Sequence, residues 1–311
     1  MKTILVMGGN QFLGKAICEK LIKEKNKVYV INRGTRPNID GVIFLKGDRN
    51  NEEELKNLTK ALSVDIIIDV SGYLPSQVLT LQKVMKGKYS QYIFISSASV
   101  YENIDTFKLT KENNKTGGNI NWGSYGKNKS LCEDILINNT DEKSKYTIFR
   151  PFYVYGVGNN LDREIYFFSR LKYNLPILVP NDDKILLQFG YIDDLVLAIE
   201  SSLFNKNYYN NIFNISGDEI ISIVSFINIC ASIMKKEPNI RFIDLKKEKI
   251  LSRDFFPFRS INLFGDISKI QQLDFVNKTD LIKGLYKTYS YLEENELLNT
   301  PKRSLIEIEK S

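Results

Sequence analysis

Histidine is absent from all 311 residues of the chain. That absence removes histidine triads, histidine-liganded metals and histidine general bases together, so acid–base chemistry falls to Tyr, Lys, Ser, Asp or Glu. Cysteine is scarce. Cys18, Cys132 and Cys230 are odd in number, far apart and without metal spacing, which predicts reduced thiols and no metal site. No apolar run approaches the length of a membrane span. The N-terminus enters a strand without a basic leader or cleavage site, so secretion is disfavoured and a cytoplasmic location is expected. The net charge of +6 comes mostly from lysines scattered among glutamates, as in Lys20–Lys27 and Lys246–Lys249. Such mixed runs belong to solvated faces, and nucleic acid is a disfavoured partner.

What is present is a soluble, enzyme-like composition, 43% hydrophobic and 26% charged, long enough for one large α/β domain or two smaller ones. An apolar run, Ile4–Met7, meets Gly8-Gly9, and an apolar helix starts at about Phe12. Gly8 and Gly14 fit a Gly-x-x-Gly-x-x-Gly turn with Gln11 in the middle place. Such a turn lets a pyrophosphate approach the backbone and the helix N-terminus, although a plain glycine-rich turn explains it as well. A second strand, Lys27–Ile31, ends in Asn32-Arg33, with Arg36 close by, where NAD sites carry an acidic residue. Arginine there suits a 2′-phosphate, so NADP is favoured over NAD; the alternative is a pair of arginines solvating a loop.

Strands at Val42–Leu45, Asp65–Val70, Gln91–Ile95 and Tyr146–Phe149 alternate with helices at Glu52–Leu62, Ser76–Met85 and from Ser124. This order predicts a doubly wound parallel α/β sheet of the Rossmann type. The polar stretch Glu102–Gly123 is expected to be a long loop over a site. Tyr125 and Lys129 share one helical face, though roughly two Tyr-x-x-x-Lys matches arise by chance in such a composition. Their place after the strand leading to Ser97 is the less random feature. Further on, helices are expected at Leu161–Lys172, from Ile192, at Ile221–Lys235 and at Asp280–Glu294, with strands at Asn211–Ile215 and Ile240–Ile243. The division expected is a dinucleotide-binding domain over 1–158 with 188–217 returning to it, a smaller C-terminal substrate lobe over 159–187 and 218–300, and a tail over 301–311.

Together these segments resemble the extended short-chain dehydrogenase/reductases, in the NAD-dependent epimerase/dehydratase branch. The marks are Gly8–Gly14, Gly47-Asp48, Ser96-Ser97-Ala98-Ser99-Val100-Tyr101, Tyr125-x-x-x-Lys129, Arg150-Pro151-x-x-Val154-Tyr155-Gly156 and Asp193-Asp194-Leu195. Gly8-Gly9-Asn10-Gln11-Phe12-Leu13-Gly14 and Asp69-Val70-Ser71-Gly72-Tyr73 are similar to a subgroup that includes chloroplast stem-loop-binding-like proteins.

The resemblance implies a bound NADP or NAD held by Gly8, Asn10, Gln11, Phe12, Leu13, Asn32, Arg33, Asp48, Arg49, Ser71, Gly72, Tyr73, Ser96, Lys129, Pro151 and Phe152. It also implies proton transfer by Tyr125 with Lys129 and Ser97, and substrate contacts from Ser99, Tyr101, Tyr153, Arg163 and Arg259. A small-molecule substrate, a sugar or nucleotide-sugar, is the expected partner, and a homodimer stays open. A free phenol ionises near ~10, so deprotonation at pH 7 needs about 4 kcal/mol. An ammonium ~4 Å away supplies about that much at an effective dielectric of ~20; Lys129 is expected to do so. Three departures narrow the activity. Ala98 and Ser99 stand where dehydratases carry Asp-Glu, which disfavours a 4,6-dehydratase and leaves epimerisation or carbonyl reduction. Leu187 stands where an arginine often holds a nucleotide diphosphate, and the Asn expected within Ser76–Met85 is missing. A non-catalytic NADP-sensing or RNA-binding protein on the same fold is the alternative.

Overall fold

A computed structural model describes residues 1–104, 106–181 and 184–299; the expected tail lies outside them. The first half builds six strands and four helices that alternate except between the second and third strands, which follow one another directly. These are β1 (Thr3–Met7), α1 (Phe12–Lys23), β2 (Lys27–Asn32), β3 (Ile43–Lys46), α2 (Glu52–Thr59) and β4 (Ile66–Asp69). Then come α3 (Pro75–Val84), β5 (Gln91–Ile95), α4 (Ser124–Asn138) and β6 (Lys145–Pro151). The second half holds β7 (Tyr153–Tyr155), α5 (Glu164–Lys172), β8 (Ile177–Pro180), β9 (Leu186–Tyr191), α6 (Ile192–Ser201) and β10 (Asn211–Ile215). It closes with β11 (Ile220–Ser222), α7 (Ile223–Met234), β12 (Ile240–Ile243), α8 (Leu245–Glu248), α9 (Ser268–Gln271) and α10 (Leu281–Glu294).

The main sheet has seven strands in the order β10-β6-β5-β4-β1-β2-β3, all parallel. The strand order reverses between β1 and β4, so the chain's first βα turn opens at the switch point where α/β folds bind ligands. Alternation along β1 divides the core: Ile4 and Val6 enter one apolar cluster, Leu5 and Met7 the other. The cluster on the Ile4 face continues without a break into the C-terminal lobe, as far as Leu292 and Leu298.

Sequence patterning located the long elements but missed β7, β8 and β11, which are three or four residues long, and β9, which is as long as β2 but lies between β7 and β11 in a sheet of its own. β9 forms a three-stranded sheet with β7 and β11, and β8 pairs with β12. The stretch from 188 to 191 thus belongs to the three-stranded sheet, α6 packs against α1, and β10 is the next strand of the main sheet. The helix expected from Leu161 begins at Glu164. The loop Glu102–Gly123 is also corrected. Thr110 bridges to Gly265, the Glu112 carbonyl accepts from Arg150 at 3.0 Å, and its carboxylate accepts from Asn214 N at 2.9 Å. The loop is thus tied to the C-terminal ends of β6 and β10, and among its described residues Trp122 alone is in the cleft lining.

Glu164, fully buried at the start of α5, accepts both of its bonds from Asn159 Nδ2, at 3.2 and 2.9 Å. Burial pushes its carboxyl from 4.5 up to about 7, against the opposing pull of Arg163 and Asn159. A raised carboxyl contributes stability that is complete below pH 4.5 and is lost as pH rises through about 7. Glu164→Gln is expected to melt higher than wild type at pH 8, with the gap closing towards pH 4.5. Thermal unfolding across that range checks it, and a pH-independent gap contradicts it.

Candidate active site

The C-terminal ends of the sheet strands and the small lobe enclose a cleft of about 1100 Å³. One end is formed by the first βα turn. Gly8 has φ +89°, and a Cβ there would lie 2.6 Å from Ser71 Cβ. A Cβ on Gly14 would lie 2.1 Å from the Gly8 carbonyl oxygen, so the helix is in contact with the turn itself. Gln11, at the place of the middle glycine, is extended and forms the helix boundary, and Phe12 takes up a positive φ of 41° in its stead. The N-terminus of α1 has no side-chain cap and no acidic residue in its first turn. Gly8, Asn10, Gln11, Phe12 and Leu13 all line the cleft. Free helix N–H groups beside a tight glycine turn are a fitting cradle for a dinucleotide pyrophosphate.

Beside the glycine turn, after β2, Asn32 Oδ1 accepts from Gly34 N at 2.8 Å, and Arg33 and Arg36 are exposed in the lining. Asn10 Nδ2 donates to the Pro37 carbonyl at 3.1 Å and to Asn38 Oδ1 at 3.3 Å, tying this loop to the glycine turn. Asp48 lines the cleft and caps its own loop, accepting from Asn50 N at 2.9 Å.

Arg49 lines the cleft too, but its charge is already engaged. Its guanidinium makes a two-pronged contact with buried Asp69, at 2.7 and 2.8 Å, and donates to Ser71 Oγ at 2.8 Å. Tyr92 OH donates to the same carboxylate at 2.7 Å. Burial raises the Asp69 carboxyl, but Arg49, Tyr92 and Lys129 outweigh that and hold it below its usual range. Asp69 was not among the expected site residues; a lone acid ending the apolar run Ile66–Ile68 was the available signal.

At the reacting end, Ser97 Oγ accepts from Ser99 N at 3.2 Å, and a hydrogen bond from Ser97 acts to lower the Tyr125 phenol. Tyr125 keeps 36% of its surface exposed, yet desolvation at its hydroxyl prevails and pushes the phenol up to about 12. Lys129 is fully buried one turn along. Its Nζ donates to the Ile95 carbonyl at 2.6 Å and the Gly72 carbonyl at 2.9 Å, and lies 4.1 Å from the Phe94 ring centroid. Burial drives its ammonium from 10.5 down to about 8, the neighbouring Asp69 opposing. Lys129 thus ties the end of β5 to the loop after β4, and burial outweighs the neighbouring charges in setting the direction of the phenol's shift.

Ser71, Tyr73, Ser96, Ser99, Pro151, Phe152, Tyr153, Arg163 and Arg259 line the same cleft; Gly72 and Tyr101 do not. Gly72 takes part only through its carbonyl. Tyr101 is corrected as a substrate contact: it is fully buried, its hydroxyl donating to Asn214 Oδ1 at 2.5 Å. Ser96 donates to Glu133, which Arg150 grips through Nε at 3.0 Å, so this serine is held from behind. Arg163 stacks on Tyr153, 4.7 Å from the ring centroid, and donates to the Val154 carbonyl at 3.2 Å. Arg253 also lines the cleft, and the like charges of Arg163, Arg253 and Arg259 disfavour one another. Leu187 is fully buried in β9. Among the described residues no group of three or more His, Cys, Asp or Glu could hold a metal, and no helix is long and apolar enough to cross a membrane.

A parallel sheet with a glycine turn at its switch point, a Tyr-x-x-x-Lys helix and a strand-end serine define a dinucleotide-dependent enzyme of the extended short-chain dehydrogenase/reductase type. The model of the NAD dependent epimerase/dehydratase family matches residues 4–216, and the chain belongs to that family. A curated relative is the chloroplast stem-loop binding protein of 41 kDa b from Arabidopsis thaliana, 30% identical over 93% of this chain and 79% of its own length. An uncharacterised UDP-glucose epimerase of Bacillus subtilis is 23% identical over 93% of this chain and 97% of its own. Among solved structures, dTDP-glucose 4,6-dehydratase of Bacillus anthracis in complex with NAD has a TM-score of 0.80 at 18% identity, covering 96% of this chain and 98% of that one. UDP-glucuronic acid 4-epimerase of Bacillus cereus, with UDP-glucuronic acid and NAD, has a TM-score of 0.76 at 22% identity, covering 94% and 99%. These structures share the fold.

A lysine whose folded pKa is depressed contributes stability that is complete above pH 10.5 and is lost as pH falls through about 8. Wild type, without added cofactor, is therefore expected to gain stability between pH 8 and 10 relative to Lys129→Met. Paired denaturant titrations measure this; parallel pH profiles would show that Lys129 is not desolvated as described.

Proposed function

We propose that the protein is an NADP(H)-linked epimerase or reductase of a sugar or nucleotide-sugar, with Tyr125 as the proton-transfer group. The observation that carries this is the convergence of Tyr125, Ser97 and Lys129 at one end of a cleft whose other end is the glycine turn. The nicotinamide, when bound, supplies the hydride acceptor or donor. The chain's own part is to place and move a proton. In a reduction the Tyr125 hydroxyl donates its proton to the carbonyl oxygen. In the oxidative half of an epimerisation the same oxygen accepts the proton of the substrate hydroxyl, with Ser97 orienting both exchanges. Lys129 fixes the end of β5 and the loop after β4 that shape this corner.

Support for NADP comes from Arg33 and Arg36 in the lining and from Asn32 at the place of an acid. The names of the two Bacillus structures and of the Bacillus subtilis relative support a nucleotide-sugar. Arg163 and Arg253 are then the natural diphosphate contacts, since guanidinium forks suit phosphate oxygens and Leu187 is buried elsewhere. The Arabidopsis relative's name favours a second reading, RNA binding on the same fold; an RNA hairpin titrated into the protein discriminates the two.

The test is a screen of UDP-sugars, dTDP-sugars and keto sugars with each cofactor. With the substrate found, Tyr125→Phe is expected to melt like wild type and to turn over at least ~100-fold more slowly; retained turnover removes Tyr125 from the mechanism. Calorimetry is expected to show tighter binding of NADP than of NAD, with Arg33→Asp shifting preference towards NAD. Equal or tighter NAD binding by wild type refutes the cofactor assignment.

A further inference from the structure

Trp122 is the chain's single tryptophan, and it closes a 3-10 turn, Ile120–Trp122, at the cleft rim. Only Gly123 and Ser124 separate it from Tyr125. Gly123 has φ 55° and ψ −135°, and a Cβ there would meet no atom within 4 Å. It serves as the boundary residue of α4 without a side-chain cap. The turn before it is held to the sheet by Asn119, whose N–H donates to the Ser99 carbonyl at 3.0 Å and whose Oδ1 accepts from Asn121 N at 2.9 Å. On the sheet side, the next residue is fixed: a Cβ on Gly126 would lie 2.2 Å from the Ser99 carbonyl oxygen. On the cleft side, Tyr125 meets the Tyr73 ring at 6.2 Å between centroids, and the turn before it is held by a residue distant in sequence. Arg259 Nε donates to the Asn121 carbonyl, and its guanidinium carbon lies 4.8 Å from the Trp122 ring centroid. The backbone N–H of Arg259 also reaches Tyr153 OH at 3.5 Å, and Tyr153 is the ring on which Arg163 stacks.

We propose that Arg259 is a positioning residue: by clasping Asn121 and Trp122 across the cleft it holds the first turn of α4, and with it Tyr125. A cation on an indole face is the strongest of the aromatic pairings of this kind. The guanidinium can stack and donate in its own plane at once, which an ammonium does less well. This role replaces the expected direct substrate contact of Arg259 and leaves Arg163 and Arg253 for anionic groups. Its catalytic meaning rests on the proposed role of Tyr125, but the clasp itself does not.

The experiment uses the full chain without substrate. In Arg259→Gln, acrylamide quenching of the single tryptophan is expected to rise, and amide exchange over residues 123–127 to quicken about ten-fold. The melting temperature should stay within about 3 °C. Arg259→Lys, which keeps a cation over the ring, should restore most of the quenching protection. Unchanged quenching and exchange in Arg259→Gln would overturn the proposal. Once a substrate is in hand, the same variant should lose kcat with little change in KM; a rise in KM alone would make Arg259 a substrate ligand and overturn it too. Quenching and exchange fail only if the clasp is wrong, whereas an error about catalysis shows in Tyr125→Phe.

Discussion

The buried pair of Arg49 and Asp69 is the contact on which the cofactor end of the cleft depends. It joins the loop after β3 to the end of β4, takes the Tyr92 hydroxyl from β5, and through Ser71 supports the turn at Gly8. A buried ion pair gives little net stability compared with an apolar replacement, but removing one partner costs roughly 3–5 kcal/mol because the other is left uncompensated. The pair therefore acts through position more than through energy. It holds the loops after β3 and β4 in register beside the glycine turn, at an open face of the cleft where apolar packing is not available.

The same accounting explains how Lys129 and Tyr125 differ from expectation. Coulomb attraction between a phenolate and an ammonium is large only if the ammonium faces the phenol. In the folded chain the ammonium has two carbonyl acceptors behind it and the negative Asp69 close by. Desolvation then governs both groups, raising the phenol and lowering the ammonium. Helical spacing shows that two residues share a face; it does not show where a flexible lysine finds its partners.

Much of the fold was legible. Long apolar strands between helices, with glycine at the first turn, dictate a parallel sheet and a site at its switch point, and the main sheet follows that pattern. The lobe was harder, because β7, β9 and β11 are three to six residues long and are set by their partners instead of by their own periodicity. Trp122 and Asp69 were missed for a related reason: each acts through a neighbour distant in sequence. Tyr101 was misplaced because a tyrosine two residues from a site serine looks available until the fold buries it against Asn214.

The unbroken apolar cluster running from β1 to Leu298 has a consequence for motion and for design. Two lobes that share one core are not separately folding modules, since neither could be excised without exposing the other's interior. Domain shuffling that exchanges the substrate lobe alone would cut through packed side chains. Large hinge rotations are resisted for the same reason, because a close-packed interior does not deform continuously. Access to the cleft is then governed at its rim, by loop segments and long side chains that can move while the interior stays closed.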